Sequence, residues 1–228
     1  MKGPANAIWR QFEGRLIVSC QARPGEHTRT PGTLARFARA AVDSGAVAIR
    51  AEGAPTIVAI RKVVDVPIIG IRKIVQHDGL RLITPSLRSA RALVKAGAEM
   101  VALDCTVRGQ RFGAIARLQA IKRELGVPVF ADIATLDEAV TAEQAGADLV
   151  LTTMRGYTKE TAGLNVFEPE FIAQLVATLH IPVIAEGHVE TPEQARAALD
   201  AGAFSVVVGS AITRPNTIAQ RFVRAVES

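Results

Sequence analysis

Aromatic side chains are scarce in this sequence, at 4% of 228 residues. The 27 Lys and Arg residues are scattered rather than clustered, although they leave the chain with a net charge of +5. Scattered positive charge without interleaved aromatic residues argues against a nucleic-acid-binding surface, so we expect no nucleic-acid partner. The positive balance instead favours a small anionic ligand.

Cysteine and histidine are also few. Cys20 and Cys105 end two different apolar segments and lack metal-site spacing, which predicts two small, partly buried thiols. The four histidines are His27, His77, His180 and His188. Because none of them has the spacing of a metal-ligand set, we expect no metal.

Long hydrophobic runs are missing as well. No apolar run approaches the roughly 20 residues that a membrane helix needs, so we expect no membrane contact. The N-terminal stretch MKGPANAIWRQFEGR lacks the basic-then-apolar pattern of a signal peptide, which predicts a cytoplasmic protein. With 49% hydrophobic residues the chain can bury one large core, and we expect a single domain over residues 1–228.

Two short units repeat along the chain. The first is a helix end, SGA or AGA, followed by an apolar strand, as in SGAVAIRA and AGADLVLTTM. The second is a strand that begins near a proline, as in VPIIGIRK, VPVFADIA and IPVIAEGH. Together with RLIVSCQA they give about eight short strands, apolar on both faces and rich in Val and Ile, which indicates a parallel sheet covered by helices.

Helical patterns lie between these strands. Several begin at Ser or Thr and end at Gly, and Thr135 with Glu138 fits a capping box. The strict alternation of strands and helices predicts an α/β fold, a TIM (β/α)8 barrel. A doubly wound open sheet is the alternative, and it is less favoured because no segment has the pattern of an edge strand.

Polar or small residues stand where the predicted strands end. In a TIM barrel the carboxyl ends of all the strands meet on one face, which carries the catalytic groups. The strand tips are, in chain order, Gln21, Arg50, Lys73, Asp104, Asp132, Thr152 with Thr153, Glu186, and Gly209 with Ser210. Although loops are polar in general, so many polar tips on one face predict a functional site.

The last two strand tips predict a phosphate site. The backbone N–H groups of Gly187, Gly209 and Ser210 are unobstructed by large side chains and precede a short helix, so they could hold a phosphate. Arg214 could add a bidentate contact. Many barrels with different chemistries share such a site, so it indicates a phosphorylated ligand rather than a particular reaction.

Lys73 and Glu186 predict an acid/base pair. Lys73 follows Arg72, and we expect it to face Arg50 across the mouth. Partial burial beside positive charge lowers the pKa of a lysine. Inverting a carbon next to a carbonyl requires removal of a proton from one face and its return to the other, which two groups across a barrel mouth can perform. Asp132 could bind sugar hydroxyls or orient the lysine.

At these motifs the sequence resembles the N-acylglucosamine-6-phosphate 2-epimerases (N-acetylmannosamine-6-phosphate 2-epimerases), TIM-barrel enzymes of sialic acid breakdown. The matching segments extend over nearly the whole chain in the expected order and include SCQA, ADIATLDEA, PVIAEG and VVVGSAITRP. The resemblance implies interconversion of N-acetylmannosamine 6-phosphate and N-acetylglucosamine 6-phosphate by proton transfer at C2. It also implies that no cofactor is needed and that the protein is a homodimer.

The resemblance also implies a role for each candidate residue. Lys73 and Glu186 would be the catalytic pair. The substrate-binding residues would be Gln21 and Arg50, for the sugar or its N-acetyl group, and Asp132, for the hydroxyls or to orient the lysine. The phosphate would be held by Gly187, Gly209, Ser210 and Arg214.

The chain departs from the family pattern beside these residues. Arg72, Lys73 and Ile74 stand where Lys then Arg is usual, so a shift of one residue would turn Arg72 into the site instead of Lys73. His188 stands where Arg or Lys is usual. Such changes could alter the acyl group or the substrate preference while leaving the chemistry intact.

Two other functions remain open at the level of sequence. In a lyase or aldolase-type barrel Lys73 would form a Schiff base, and a non-catalytic sensor would keep the phosphate site without turnover. The C-terminal segment AITRPNTIAQRFVRAVES predicts an amphipathic helix. That helix packs either on its own chain or against a second copy.

Overall fold

Eight parallel strands close into a barrel in a computed structural model, which describes residues 8–76, 79 and 81–227. The strands of the chain are β1 (Leu16–Cys20), β2 (Ala48–Glu52), β3 (Ile68–Ile71), β4 (Lys73–Val75), β5 (Arg81–Ile83), β6 (Met100–Asp104), β7 (Val129–Asp132), β8 (Leu149–Leu151), β9 (Val183–Glu186) and β10 (Ser205–Val208). All except β4 and β5 belong to the barrel, and β1 pairs with both β2 and β10. The predicted TIM barrel is confirmed, and the open-sheet alternative is wrong because the sheet closes on itself.

Helices surround the barrel. They are α1 (Pro31–Asp43), α2 (Ala54–Arg61), α3 (Leu87–Lys95), α4 (Val107–Arg111), α5 (Ala114–Leu125), α6 (Leu136–Gln144), α7 (Pro169–Thr178), α8 (Pro192–Asp200), α9 (Ser210–Thr213) and α10 (Pro215–Glu227). Among the described residues, none of these helices is long and apolar enough to cross a membrane. The start of the N-terminal stretch, residues 1–7, and His77 lie outside the described part of the chain.

Side-chain caps set the start of several helices. The Thr135 side chain accepts the backbone N–H of Glu138, and the Glu138 side chain accepts the N–H of Thr135 in return, so the predicted capping box of α6 is confirmed. Thr191 and Gln194 form the same arrangement at α8. Each cap satisfies backbone N–H groups at the beginning of a helix and thereby fixes the short loop from the preceding strand.

The core has two parts, because successive residues of a strand point to opposite faces of the sheet. Side chains such as Ile17, Ile69 and Phe130 fill the inside of the barrel and are 0% exposed. Their neighbours along the strands, such as Val18 and Val101, pack outward against the helices. Both faces of each strand are therefore apolar, as the sequence pattern predicted for a covered parallel sheet.

A short hairpin, β4 with β5, follows β3 outside the barrel and was not predicted from the sequence. Thr84 closes its base, where its N–H donates to the Arg72 carbonyl at 2.6 Å and its hydroxyl donates to the Ala102 carbonyl at 2.7 Å. The barrel strand consequently ends at Ile71, and Lys73 begins the hairpin rather than ending the strand.

Gly70 of β3 lies in close contact with α3 and with the loop that follows it. A Cβ atom at this position would lie 2.8 Å from the Cβ of Ala98 and 3.1 Å from the Cβ of Leu93. We expect Gly70→Ala to lower the free energy of unfolding by about 1–3 kcal/mol, because the helix must move away from the strand. Urea denaturation measures the change.

Gly32→Ala is the matched control for this prediction. Gly32 lies in the first turn of α1, and a Cβ atom there would have no neighbour within 4 Å. Alanine also has a higher helix propensity than glycine, so we expect no loss of stability. Equal effects of the two substitutions would contradict the close packing at Gly70.

Candidate active site

Three charged side chains from separate strands meet at the carboxyl end of the barrel. Arg50 lies on β2, Asp132 is the last residue of β7, and Glu186 is the last residue of β9. Each is two residues beyond a side chain that fills the barrel interior, namely Ala48, Phe130 and Ile184. The twofold periodicity of a strand therefore turns all three toward the barrel axis.

The Arg50 guanidinium connects the two carboxylates. Its Nη2 atom donates to both carboxylate oxygens of Asp132, at 2.9 and 2.7 Å, and its Nη1 atom donates to Oε2 of Glu186. Arg50 and Asp132 are both 0% exposed. Because an arginine stays charged even when buried, the two carboxylates supply the negative charge that it requires.

Thr153 completes this cluster, and sequence reasoning did not assign it a role. Its hydroxyl oxygen lies 2.7 Å from Oδ1 of Asp132, 2.9 Å from Oε2 of Glu186 and 3.0 Å from Nη1 of Arg50. The only signal in the sequence was the polar pair Thr152–Thr153 at a strand tip. That signal marks a position on the catalytic face but not the contact.

Burial and nearby charge shift the pKa values of this cluster. Burial raises the pKa of Asp132 to about 7, with a further rise from the Glu186 charge, while Arg50 acts in the opposite direction. Burial also lowers the pKa of Lys73, and the positive charge of Arg50 lowers it further. The carboxylates of Glu186 and Asp132 partly oppose the shift at the lysine.

Lys73, rather than Arg72, faces this cluster. The Lys73 side chain is partly buried, and among the described residues no hydrogen bond or ion pair holds its ammonium group. Arg72 is exposed, and its Nη1 atom would lie 3.4 Å from a Cβ atom built on Gly53, at the start of α2. The hairpin therefore delivers the lysine to the barrel mouth in a position that the sequence alone left open.

Asp104 stands at a strand tip but does not join the cluster. Its Oδ1 atom accepts the backbone N–H of Thr106 at 3.0 Å and the Thr106 hydroxyl at 2.6 Å. Asp104 is 1% exposed, and burial raises its pKa. The side chain organises the start of α4, and its charge contributes to the raised pKa of Asp132.

Gln21 lies at the tip of β1, beside the predicted phosphate loops. Its Nε2 atom donates to Oγ of Ser19 at 2.6 Å, and its Oε1 atom is buried with no hydrogen-bond partner among the described residues. A Cβ atom built on Gly209 would lie 3.2 Å from Cβ of Ser19, so this loop approaches β1 closely. Within the described part of the chain, Oε1 of Gln21 is therefore a buried acceptor whose hydrogen bond is not satisfied.

The predicted phosphate-binding residues lie on neighbouring loops. Gly187 follows β9 with φ of 105°, a conformation that favours glycine, and Gly209 is the N-cap of the short helix α9. Ser210 accepts a hydrogen bond from Nη1 of Arg214 at 3.2 Å. The bidentate partner of Arg214 is Glu26, from the loop after β1, whose pKa the Arg214 hydrogen bond lowers.

His188 links two loops of the mouth. It follows Gly187 with φ of 57°, and its ring stacks on Tyr157 with centroids 5.3 Å apart and planes 11° apart. Its Nε2 atom lies 3.2 Å from the carbonyl oxygen of Arg155. The loops after β8 and β9 are therefore joined at one of the positions where this chain departs from the family pattern.

A sequence profile described as "Putative N-acetylmannosamine-6-phosphate epimerase" matches residues 34–228. The chain belongs to this epimerase family. The resemblance noted from the strand-tip motifs is thereby confirmed.

Curated members of the epimerase family match over almost the whole chain. One from Clostridioides difficile (strain 630), named "Putative N-acetylmannosamine-6-phosphate 2-epimerase", is 45% identical over 221 residues, which cover 95% of this chain and 98% of the relative. A relative of the same name from Cutibacterium acnes is 46% identical over 222 residues, covering 96% of each.

Two solved structures are similar to this chain, and one of them is an epimerase of the same family. The N-acetylmannosamine-6-phosphate 2-epimerase from Clostridium perfringens superposes with a TM-score of 0.89 at 39% identity, covering 99% of each chain. Thiamine phosphate pyrophosphorylase from Pyrococcus furiosus has a TM-score of 0.63 at 18% identity, covering 98% of this chain and 100% of that one. The second similarity concerns the fold alone.

The Arg50 cluster generates a prediction about stability. Arg50→Met would leave two buried carboxylates without their counter-charge, and we expect the free energy of unfolding to fall by about 3–5 kcal/mol near neutral pH. Loss of Arg50 removes the charge that lowers the pKa of Asp132, so this pKa rises further in the folded state. The variant therefore loses stability relative to the parent as pH rises through the pKa of Asp132. Its stability recovers as pH falls and the carboxyl becomes protonated.

Urea denaturation of both proteins, above and below the Asp132 pKa of about 7, measures this difference. The control is Arg39→Met, because the Arg39–Asp43 pair is exposed, with side-chain exposures of 61% and 55%. We expect that substitution to cost less than about 1 kcal/mol. A deficit for Arg50→Met that does not change with pH would contradict the charge argument.

Proposed function

We propose that this chain interconverts N-acetylmannosamine 6-phosphate and N-acetylglucosamine 6-phosphate by removing a proton from C2 and returning one to the opposite face. The observation that carries the proposal is the meeting of Lys73 and Glu186 at one barrel mouth, in a chain of the epimerase family. Lys73 has a lowered pKa there, and Glu186 is held by a buried arginine. These are the properties of a pair of proton-transfer groups.

The reaction acts on the open-chain sugar, in which the C1 aldehyde acidifies the C2 proton. One of Lys73 and Glu186 takes the proton, and the electron pair of the C2–H bond moves into an enolate. The other group then gives a proton to C2 on the opposite face. The two directions of the reaction use the pair in opposite order, so each group must reach both protonation states near neutral pH.

The remaining residues would position the substrate. Asp132 and Arg50 hold Glu186 in place through the buried cluster, which supports a positioning role for Arg50 rather than a direct contact with the sugar. The unpaired Oε1 atom of Gln21 fits an N–H or O–H donor of the acetamido sugar. Asp132 could in addition accept from a hydroxyl as the substrate approaches.

The phosphate would be held by the loops after β9 and β10. The backbone N–H groups of Gly187, Gly209 and Ser210 are the donors, and Arg214 supplies the charge. Arg214 forms an ion pair with the Glu26 carboxylate. A bound phosphate would share the Arg214 guanidinium with Glu26 or displace Glu26 from it. The reaction proposed here needs no cofactor, because every proton transfer is assigned to side chains of the chain.

Proton NMR in heavy water tests the reaction directly. We expect the parent protein to exchange the C2 proton of N-acetylmannosamine 6-phosphate for deuterium and to form N-acetylglucosamine 6-phosphate. Glu186→Gln and Lys73→Met should each lower the rate by about 10²–10⁴ because each removes one proton-transfer group. Asp43→Asn, on the exposed side of α1, is the control and should leave the rate unchanged.

Other outcomes separate the alternative functions. A covalent adduct on Lys73 after borohydride treatment with substrate would support a Schiff-base lyase or aldolase instead. Substrate binding without C2 exchange in folded protein would support a sensor. Near-normal turnover in Glu186→Gln would contradict the assignment of the pair.

We propose further that the protein is a homodimer in which α10 contacts a second copy. No described residue of α10 is buried, and Phe222 and Val226 are 71% and 84% exposed. The helix meets its own chain mainly through α9 and an Arg221–Glu190 ion pair, so its apolar stripe is uncovered. Exposed apolar surface of this kind, on a helix with a distinct polar face, is typical of an interface.

Phe222→Asp should convert the dimer to a monomer, because it places a charge in the apolar stripe. Sedimentation or light scattering would show the mass halved, whereas Phe222→Leu, which keeps the surface apolar, should leave the mass unchanged. A parent protein that is monomeric at micromolar concentration would overturn the proposal.

We place the reaction in the cytoplasm, within amino-sugar and sialic acid breakdown. Support comes from the charge of the substrate, since a phosphorylated sugar does not cross a membrane unaided. The single-domain organisation of residues 1–228 stays a prediction.

A further inference from the structure

We propose that Thr153 is a positioning residue for the epimerisation. Its hydroxyl donates one hydrogen bond, to Asp132 or to Glu186 according to which carboxylate is charged, and so couples the protonation states of the two. The part played by Glu186 rests on the proposed function. The coupling itself rests on contacts within the chain.

The Thr153 hydroxyl can donate a hydrogen bond to only one of the two carboxylates at a time. Thr153 Oγ1 accepts from Nη1 of Arg50 at 3.0 Å and lies within 2.9 Å of an oxygen of each carboxylate. A hydroxyl has one donor hydrogen. With the arginine donating to it, that hydrogen goes either to Oδ1 of Asp132 or to Oε2 of Glu186, and the other oxygen receives no hydrogen bond from Thr153.

This choice matters when Glu186 changes its charge during the reaction. A charged Glu186 is stabilised by the hydroxyl hydrogen, as a carboxylate is by any close donor. When Glu186 takes the C2 proton, rotation about the C–O bond of Thr153 turns the hydrogen to Asp132. The rotation moves no heavy atom, so the cluster needs no reorganisation during proton transfer.

The neighbouring threonine has a different, structural task. The Thr152 hydroxyl accepts the backbone N–H of Glu186 at 3.0 Å and donates to its carbonyl at 2.9 Å. Thr152 thereby holds the backbone of Glu186, while Thr153 contacts its carboxylate. Both threonines belong to one short helical turn, Thr152–Met154, in which each threonine contacts a different part of Glu186.

The pKa of Asp132 supports this coupling. Burial raises it, the charge of Glu186 raises it further, and the Thr153 hydrogen bond lowers it. Other charged or titratable groups lie near Asp132 and Glu186. A Thr153 variant must leave these groups unchanged. They are Arg50 and Glu52 on β2, Lys73 on β4, Asp104 at the end of β6 and Cys105 just beyond it.

Thr153→Val tests the proposal, because valine has nearly the same shape without the hydroxyl. We expect kcat to fall about 10–100-fold, the value of a hydrogen bond to a charged group, with a much smaller change in KM. The acidic limb of the pH–rate profile should move to higher pH, since a carboxylate that loses a donor has a raised pKa. Thr153→Ser keeps the hydroxyl and should restore both kcat and the profile.

A reduced rate with an unchanged pH profile, or failure of Thr153→Ser to restore the profile, would overturn the proposal. If Thr153→Val does not fold, as judged by circular dichroism, Thr153→Ala serves as the second variant with the same expectation. Neither variant should alter the hydrogen bonds between Thr152 and the Glu186 backbone.

A second measurement separates this proposal from the proposed function. Carbon-13 NMR of the side-chain carboxyls, without substrate, follows the titration of Asp132 and Glu186 in the parent and in Thr153→Val. A titration midpoint of Asp132 at higher pH in the variant supports the coupling. If the parent at the same time shows no C2 exchange, only the proposed function fails. Identical titrations in the two proteins overturn the coupling even if the parent is an active epimerase.

Discussion

The buried guanidinium of Arg50 is the constraint on which the site depends. It cannot lose its charge inside the barrel, so the fold must bring carboxylates to it from elsewhere in the chain. Asp132 comes from β7 and Glu186 from β9, and both are more than 80 residues away along the sequence. The ion pairs that neutralise the buried Arg50 therefore also hold Glu186, a candidate proton-transfer group, in a defined position.

Barrel geometry turns this local requirement into a reaction site. Side chains alternate between the inside and the outside of the barrel along every strand. Inward-facing side chains at the carboxyl ends of several strands therefore lie together, directly above the apolar side chains that fill the barrel. Lys73 arrives by a different route, on the β4–β5 hairpin that lies outside the barrel sheet. The lysine and Glu186 thus lie on separate structural elements, which fits the proposed transfer to opposite faces of one carbon.

The loops around the mouth are joined to each other by specific side-chain contacts. Glu26 binds Arg214 and ties the loop after β1 to the loop after β10. His188 stacks on Tyr157 and ties the loop after β9 to the loop after β8. Arg214 also donates to Ser210, so a phosphate bound as proposed would have to accommodate the Glu26–Arg214 pair.

The sequence by itself determined the barrel, the capping box at Thr135 and the polar strand tips, because these follow from local periodicity and short-range hydrogen bonds. It could not show that Thr153 bridges two carboxylates, nor that Glu26 binds Arg214, because each contact joins residues far apart in the chain. The choice of Lys73 over Arg72 also depended on the tertiary structure. A shift of one residue reverses the direction of a side chain, and here only the hairpin built on Thr84 sets that register.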